Sequence, residues 1–325
     1  MTVFDKRAHN IDEQLATLRQ RGLAIPDYSR ARHYLGNISY YRLSAYTRPF
    51  YRPNQPEHRF LDGVGFDDVL RLYVFDRELR LLLLDAIERL EVSLRAQLTN
   101  TLAEHHEPHG YLDPALFNSR YDHGWLIRKL DQEAKTREVE TFLLHYRAKY
   151  TAAPPQPPIW MALELLSFKE VSILFSHLRL AGDTQRIEAH FGWKFKLLTS
   201  WFRSLSDLRN LCAHHARVWN REFGSRPEMP KKIPAGWPSV PEAIATGAHQ
   251  DPGQTLAPRR RLYLQLVVIE SLMRVVCPES GWAERLLHLL ARYPHISRPH
   301  MGFPPGWENE PFWRAAVPAE KGKKA

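Results

Sequence analysis

A chain of 325 residues, 44% hydrophobic and 25% charged, has enough apolar surface for one large core or two modest ones, which excludes a chain disordered throughout. With 45 Lys and Arg against 36 Asp and Glu the formal net charge is +9, so a polyanion is the first class of partner to consider, nucleic acid before anionic membrane. The two cysteines, Cys212 and Cys277, form no CxxC pair and exclude a structural zinc site of the usual kind.

The start, MTVFDKRAHNIDEQ, has no apolar signal core, and the runs LLLL at 81–84 and LQLVVIESLM at 264–273 are too short to span a bilayer. The expected setting is therefore the reducing cytoplasm, with no membrane partner. IDEQLATLRQRGL places Ile11, Leu15 and Leu18 on one helical stripe that Gly22 stops. Asp27 then caps a helical stretch dense in Tyr34, Tyr40, Tyr41 and Tyr46 beside Arg30, Arg32, Arg42 and Arg48, which Pro49 and Pro53 end. From Asp67 to about His106, Val69, Leu72, Tyr73, Asp76, Leu79, Leu83, Ile87, Leu90 and Leu94 recur at threes and fours without Gly or Pro. This predicts a central core helix, broken at most once near Asp76.

One bent or two short helices are expected over 125–150, then a stiff proline linker at 151–158. An amphipathic helix is expected over 159–178, a short one in DTQRIEAHFG, and another from 194 to 222 ending near Gly224. Residues 225–258 show no apolar period and read as a long loop; helices return in RRRLYLQLVVIESLMRVVC and GWAERLLHLLARY. Strand signals are nearly absent. Residues 1–313 read as a single all-α, multi-helix domain with loop insertions, and 314–325 as a polar, disordered tail.

The stretch LRNLCAHHARVWNRE at 208–222 carries the densest chemistry. On an ideal helix Trp201, Leu205, Leu208 and Cys212 share a core-facing stripe, and Asn210 shares another with His214. Arg209 and His214 are five apart, about 140° around the axis and about 7.5 Å along it, so one straight helix does not stack them. They meet on one phosphate only through a distorted turn, a long arginine reach, or two copies of the helix face to face. Together they are what RNA cleavage requires. An imidazole, titrating near neutrality, can take the 2′-hydroxyl proton or protonate the 5′-leaving oxygen. A guanidinium steadies the extra charge on phosphorus. Asn210 can orient either group, and no metal or other cofactor is required. By residue type alone, the same segment also fits a solvated basic helix face.

LSDLRNLCAHHARVWNREF resembles the signature of the abortive-infection (Abi) family, the AbiD/AbiF or Abi-like branch. LGNISYYRLSAYTRPF resembles that family's early Tyr-Arg block, and FDRELRLLLLDAIERLEVSLRAQL its central helix; PIWMALELLSFKEVSILFSHL and MGFPPGW follow in the same order. The resemblance covers about residues 10 to 313. That family is in turn similar to the HEPN superfamily of helical RNases, marked by R-x(4–6)-H with a polar residue after the arginine, which falls here on Arg209, Asn210 and His214. The resemblance implies a helical HEPN-like bundle, metal-independent endoribonuclease activity and a composite site across a homodimer. It also implies a role in bacterial defence against phage, in some members restrained by a small antitoxin RNA. Lys169 in SFKEVS departs from the pattern, where a small residue such as Gly is expected, so the local turn there is expected to differ. The 225–258 span is longer than expected, and His215 competes with His214 for the catalytic role.

Other residues carry two readings each. Glu91 and Arg95, four apart beside Glu88, suit an intrahelical pair, with Glu91 alternatively orienting the site from behind, as His215 could. Arg42, Arg48, Arg217 and Arg221 are candidate RNA contacts, with the tyrosines either stacking bases or packing helices. Arg259, Arg260 and Arg261 bind RNA or flank a helix start. His105, His106 and His109 fall at a helix end marked by Pro108 and Gly110, read as having no nearby carboxylate or cysteine set, so no metal is expected there. The rival functions are an endoribonuclease, a non-catalytic protein that holds a small RNA, and a structural helical protein whose charge is incidental.

Overall fold

The structure is a computed structural model that describes residues 3–4, 7–55, 57–133, 135, 140–245 and 255–315. The expected tail from 314 lies outside them beyond Ala315. The described chain is all-α, as its periodicity demands. Its axis is α4, Phe66–His106, about 60 Å long at 1.5 Å per residue. Val69, Phe75, Leu79, Leu83, Ala86, Ile87, Leu90, Leu94 and Leu98 are wholly buried along it. Asp76 does not break this helix; it is itself buried on the apolar stripe.

Around α4 pack α3 (Tyr40–Thr47), α9 (Ala181–Phe191), α10 (Phe195–Ala213), α11 (Leu262–Val276) and α12 (Trp282–Arg292). From Leu262 to Met273 every residue of α11 is buried, Gln265, Glu270 and Ser271 included, as expected for a largely apolar helix in the core. The helix α12 instead turns one apolar face inward. Its ends are tied to α4 by Arg285 to Asp85 at 2.6 Å, by Arg292 to Glu78, and by the Trp282 indole donating to Leu82 O at 2.8 Å. One apolar cluster runs from Leu15 to Trp313.

In the N-terminal elements the expected stop at Gly22 and cap at Asp27 are present, and Asn10 adds a cap beyond those expected. In α1, Ile11–Gln20, Asn10 and Glu13 make a reciprocal capping box, and Gly22 ends the turn at φ +97°. Asp27 accepts from the Arg30 amide at 2.8 Å to open α2, Tyr28–Ile38. Ser39, at φ +67°, separates α2 from α3 and caps the latter.

Between α4 and α9 lie α5 (His123–Glu133), α6 (Thr141–Lys149), α7 (Ile159–Ala162) and α8 (Phe168–Ser176). Two expectations are corrected here. The stretch expected to be one helix over 159–178 is two, because Ser167 and Glu170 form a capping box that starts α8 afresh. Lys169, where a small residue is expected, sits inside that first turn and points its amine to Asp207 on α10 at 3.9 Å. The loop after α10 is also not wholly without strand: Ile244–Ala245 (β1) pairs antiparallel with Thr255–Leu256 (β2). Aromatic packing holds this loop, with Trp237 against Trp193 and Trp201, whose indole donates to Glu228 O at 2.8 Å. The last described element, α13 (Pro311–Arg314), buries Phe312 and Trp313 against the body.

Candidate functional site at the end of the tenth helix

The helix α10 stops at Ala213, not at 222 as its sequence suggested. His214 is the last, half-helical residue, and His215 takes the left-handed conformation at φ +57°. The His215 amide donates to Cys212 O at 3.0 Å and the Ala216 amide to Leu211 O at 2.9 Å. That pair of bonds closes a helix end of the kind usually built on glycine. Histidine reaches this conformation more readily than most side chains.

Two groups from elsewhere hold the end in place. Arg42 on α3 donates to the His215 carbonyl at 2.7 Å, setting a cation on the negative end of the helix dipole. Asp76, 0% exposed on α4, takes the departing chain: its Oδ1 accepts the amides of Val218 at 3.1 Å and Trp219 at 2.7 Å. Its Oδ2 accepts the Tyr46 hydroxyl at 2.7 Å and the Arg80 guanidinium. Burial pushes this carboxyl up from the usual carboxylate range, against the opposite pull of Arg80 and the two amides.

The catalytic candidates reach the surface. His214 is exposed and Arg209 and Asn210 are half-buried, while Trp201, Leu205, Leu208 and Cys212 face the core as their spacing predicts. Burial pushes the Cys212 thiol up to about 12, which leaves it no thiolate for chemistry. His214 and His215 open onto a cavity of about 760 Å³, with Arg21, Arg42, Arg48 and Arg217 on its walls beside Tyr40, Tyr41, Tyr51 and His58. Among the described residues, no carboxylate forms an ion pair with Arg21, Arg42 or Arg48. Tyr41 is 89% exposed, whereas Tyr46 is buried on Asp76. The Tyr-Arg block therefore divides between a presented aromatic face and a packing one. A second hollow of about 350 Å³ continues from the first past Arg48, Tyr51 and His58 to Arg52, Arg261 and His300.

Arg209 does not line that cavity. It opens onto a separate groove of about 580 Å³, with Glu88, Glu91, Val92, Trp160 and Glu164. Its guanidinium donates to Asn210 Oδ1 at 3.3 Å. Glu91 shares the groove but is held by Arg95 at 2.6 Å, and Arg95 also donates to the carbonyls of Leu163 and Leu166. The intrahelical pair expected from the sequence is present. Within one chain, then, the two halves of R-x(4)-H face different hollows.

The other candidate RNA contacts are divided. Arg48 stands on the cavity wall. Arg217 is half-buried, donates to the carbonyls of Trp219 at 2.6 Å and Asn220 at 2.8 Å, and burial pulls its guanidinium below its ordinary value. Arg221 donates to Arg217 O at 3.3 Å. Asn220, left-handed at φ +48°, accepts from Arg261 at 2.7 Å. Arg259 pairs with Glu242, and Arg260 lends its carbonyl to the Phe223 amide, so this triplet braces the approach to α11. Sequence reasoning missed Arg21, Tyr51 and His58 as cavity walls, since nothing in their local pattern marks them. Asp76 did leave a signal: it is a charge on an otherwise apolar stripe.

Among the described residues no helix is long and apolar enough to cross a membrane. Compared with known proteins, the chain from residue 33 to 220 matches the sequence profile of the Abi-like protein family. That range contains three blocks of the resemblance whole and LSDLRNLCAHHARVWNREF as far as Asn220, and leaves MGFPPGW outside it. No curated protein and no solved structure matches the chain.

Proposed function

The chain belongs to the Abi-like protein family, and from that premise we propose that it is a metal-independent endoribonuclease of the HEPN kind, acting as an abortive-infection effector against phage. One observation carries the reading: His214 stands exposed at the mouth of a cavity walled by a presented tyrosine and by arginines that no carboxylate among the described residues pairs. Such walls suit single-stranded RNA, with guanidiniums on the phosphates and an aromatic face for a base. His214 takes the proton from a ribose 2′-hydroxyl, and the freed oxygen attacks phosphorus. The 5′-oxygen leaves with a proton returned by the His214 imidazolium directly or through a water molecule, giving a 2′,3′-cyclic phosphate and a 5′-hydroxyl.

Arg209 supplies the charge that steadies the five-coordinate phosphorus, but from a second copy of the chain. The separation of the two hollows is what supports a homodimer with composite sites. Asn210, bonded to Arg209, sets the guanidinium's angle.

Mixing tests this directly. Arg209→Ala and His214→Ala chains should each lose cleavage by about 10²–10⁴-fold, as removal of one such group does. Refolded together they should recover about a quarter of wild-type activity, since half of the dimers are mixed and each mixed dimer keeps one intact site. No recovery would place both groups in one chain. Equal RNA binding with no cleavage by the wild type, with or without EDTA, would favour the second reading, a protein that holds a small RNA in the same cavity.

A further inference from the structure

At the far end of α4 from the phosphate-facing cavity, the fold assembles a cluster that the sequence keeps apart. His105 and His106 close α4, and Asp183 stands in the first turn of α9. Asp183 is 1% exposed. The His105 Nδ1 lies 2.7 Å from its Oδ1, and the His106 Nε2 lies 2.9 Å from its Oδ2. One donor atom from each of the three residues can be chosen so that all lie within 4.8 Å of one another. The expectation that these histidines have no carboxylate at hand is corrected: Glu104 and Glu107 flank them in sequence, and the fold brings Asp183 onto both rings.

Two neighbouring helix residues converge on one carboxylate because the helix ends there. Glu107 turns left-handed at φ +63°, and the chain folds back at Gly110. A Cβ at Gly110 would come 2.4 Å from the Cβ of His106, so a side chain there would push the imidazole out of place. Next to the cluster, Glu104 pairs with Arg186 at 2.6 Å and fixes the same two helix ends. The ligand atoms are thus held by a rigid frame.

We propose that His105, His106 and Asp183 form a binding site for a divalent transition-metal ion, zinc being the best-suited class. Two imidazole nitrogens and one carboxylate oxygen are the donor set of three-ligand zinc sites, with the fourth position left for water. Tetrahedral bonds of about 2.0–2.2 Å set ligand atoms about 3.3–3.6 Å apart, so an ion would open the two imidazole–carboxylate distances of 2.7 and 2.9 Å by about half an ångström or more. The His105 side chain is 36% exposed, so the open position faces solvent. Calcium and magnesium, which call for oxygen ligands, suit the site poorly. The ion would fasten the end of α4 to the start of α9. None of the three residues lines the His214 cavity or the Arg209 groove, so the site stands independently of the nuclease reading.

The test is equilibrium dialysis of the full chain against zinc, with the visible absorption of the cobalt-substituted protein as a report on coordination. The wild type should retain one zinc per chain and show the intense band of a four-coordinate cobalt centre. His105→Ala, at a partly exposed position where folding is safe, should weaken binding by about tenfold or more, and Asp183→Asn likewise. His109→Ala, outside the cluster, should bind as the wild type does. Zinc should raise the melting temperature of the wild type and not of His105→Ala. No zinc retained at about 100 μM, or undiminished binding by His105→Ala, would overturn the proposal.

Discussion

His214 and His215 are neighbours in sequence with opposite duties. His214 presents its ring to the cavity, and among the described residues no side chain hydrogen-bonds that ring. His215 is held through its backbone: its amide closes the helix, its carbonyl receives Arg42, and its φ of +57° is one that glycine adopts at no steric cost. His215→Gly should therefore leave cleavage within a few-fold of wild type and change stability little, gaining at most about 1 kcal/mol from the relieved conformation. Urea melts and a cleavage assay on the same samples check both. Loss of cleavage in His215→Gly with His214→Gln still active would reverse the assignment. Arg209, by contrast, is on the surface but among Glu88, Glu91 and Glu164, an acidic setting that by itself repels phosphate.

At the scale of elements, the junction of α3, α4 and α10 builds the cavity, and Asp76 is its fastener. One carboxylate ties α3 through Tyr46, α4 through Arg80, and the chain after α10 through two amides. Replacing it by alanine leaves a buried guanidinium and two buried amides without their acceptor. Asp76→Ala should cost about 3–5 kcal/mol of stability, as breaking buried ion pairs does. Asp76→Asn, which keeps an acceptor oxygen for the amides, should cost less. Urea unfolding followed by circular dichroism measures both. A loss under 1 kcal/mol in the alanine variant would show that the junction stands without it. The early end of α10 has the same cause: the bonds to Asp76 and Arg42 draw the chain off the helix axis where its sequence would have let it continue.

For the molecule as a whole, the excess positive charge becomes directional once folded. Much of the basic side-chain density on the segment leaving α10 and on the approach to α11 is taken up by partners within the protein. Arg217, Arg221 and Arg261 donate to carbonyls or to Asn220, and Arg259 is paired with Glu242. Arg21, Arg42 and Arg48 face the cavity with no ion pair to a carboxylate among the described residues, although Arg42 also donates to the His215 carbonyl and Arg21 to the Tyr40 hydroxyl. RNA binding should therefore weaken as salt rises, and the double variant Arg42→Ala/Arg48→Ala should lower the slope of log K against log salt by about 1.4, about 0.7 per phosphate contact on a single strand. Filter binding across a salt series measures the slope. An unchanged slope would move the RNA path to another face.

What could be determined from the chain by itself was whatever is written in local periodicity and capping. The long α4, the caps at Asn10 and Asp27, the core stripe of α10 and the all-α class follow from spacing and from side chains within a few residues of each other. So did the Glu91–Arg95 pair, which is an i, i+4 matter. The candidate motif was legible as residue types, and its ideal-helix geometry already separated Arg209 from His214. Tertiary structure decided everything that depends on partners distant in sequence. The end of α10 at Ala213, the left-handed His215, the cavity walls at Arg21 and His58, and the arrival of Asp183 beside His105 and His106 are such cases. The physical reason is one of range. Helix spacing and caps are settled by atoms a turn or two apart, whereas a buried carboxylate's choice of amides, or of imidazoles, is made only when packing has removed water and brought distant segments together.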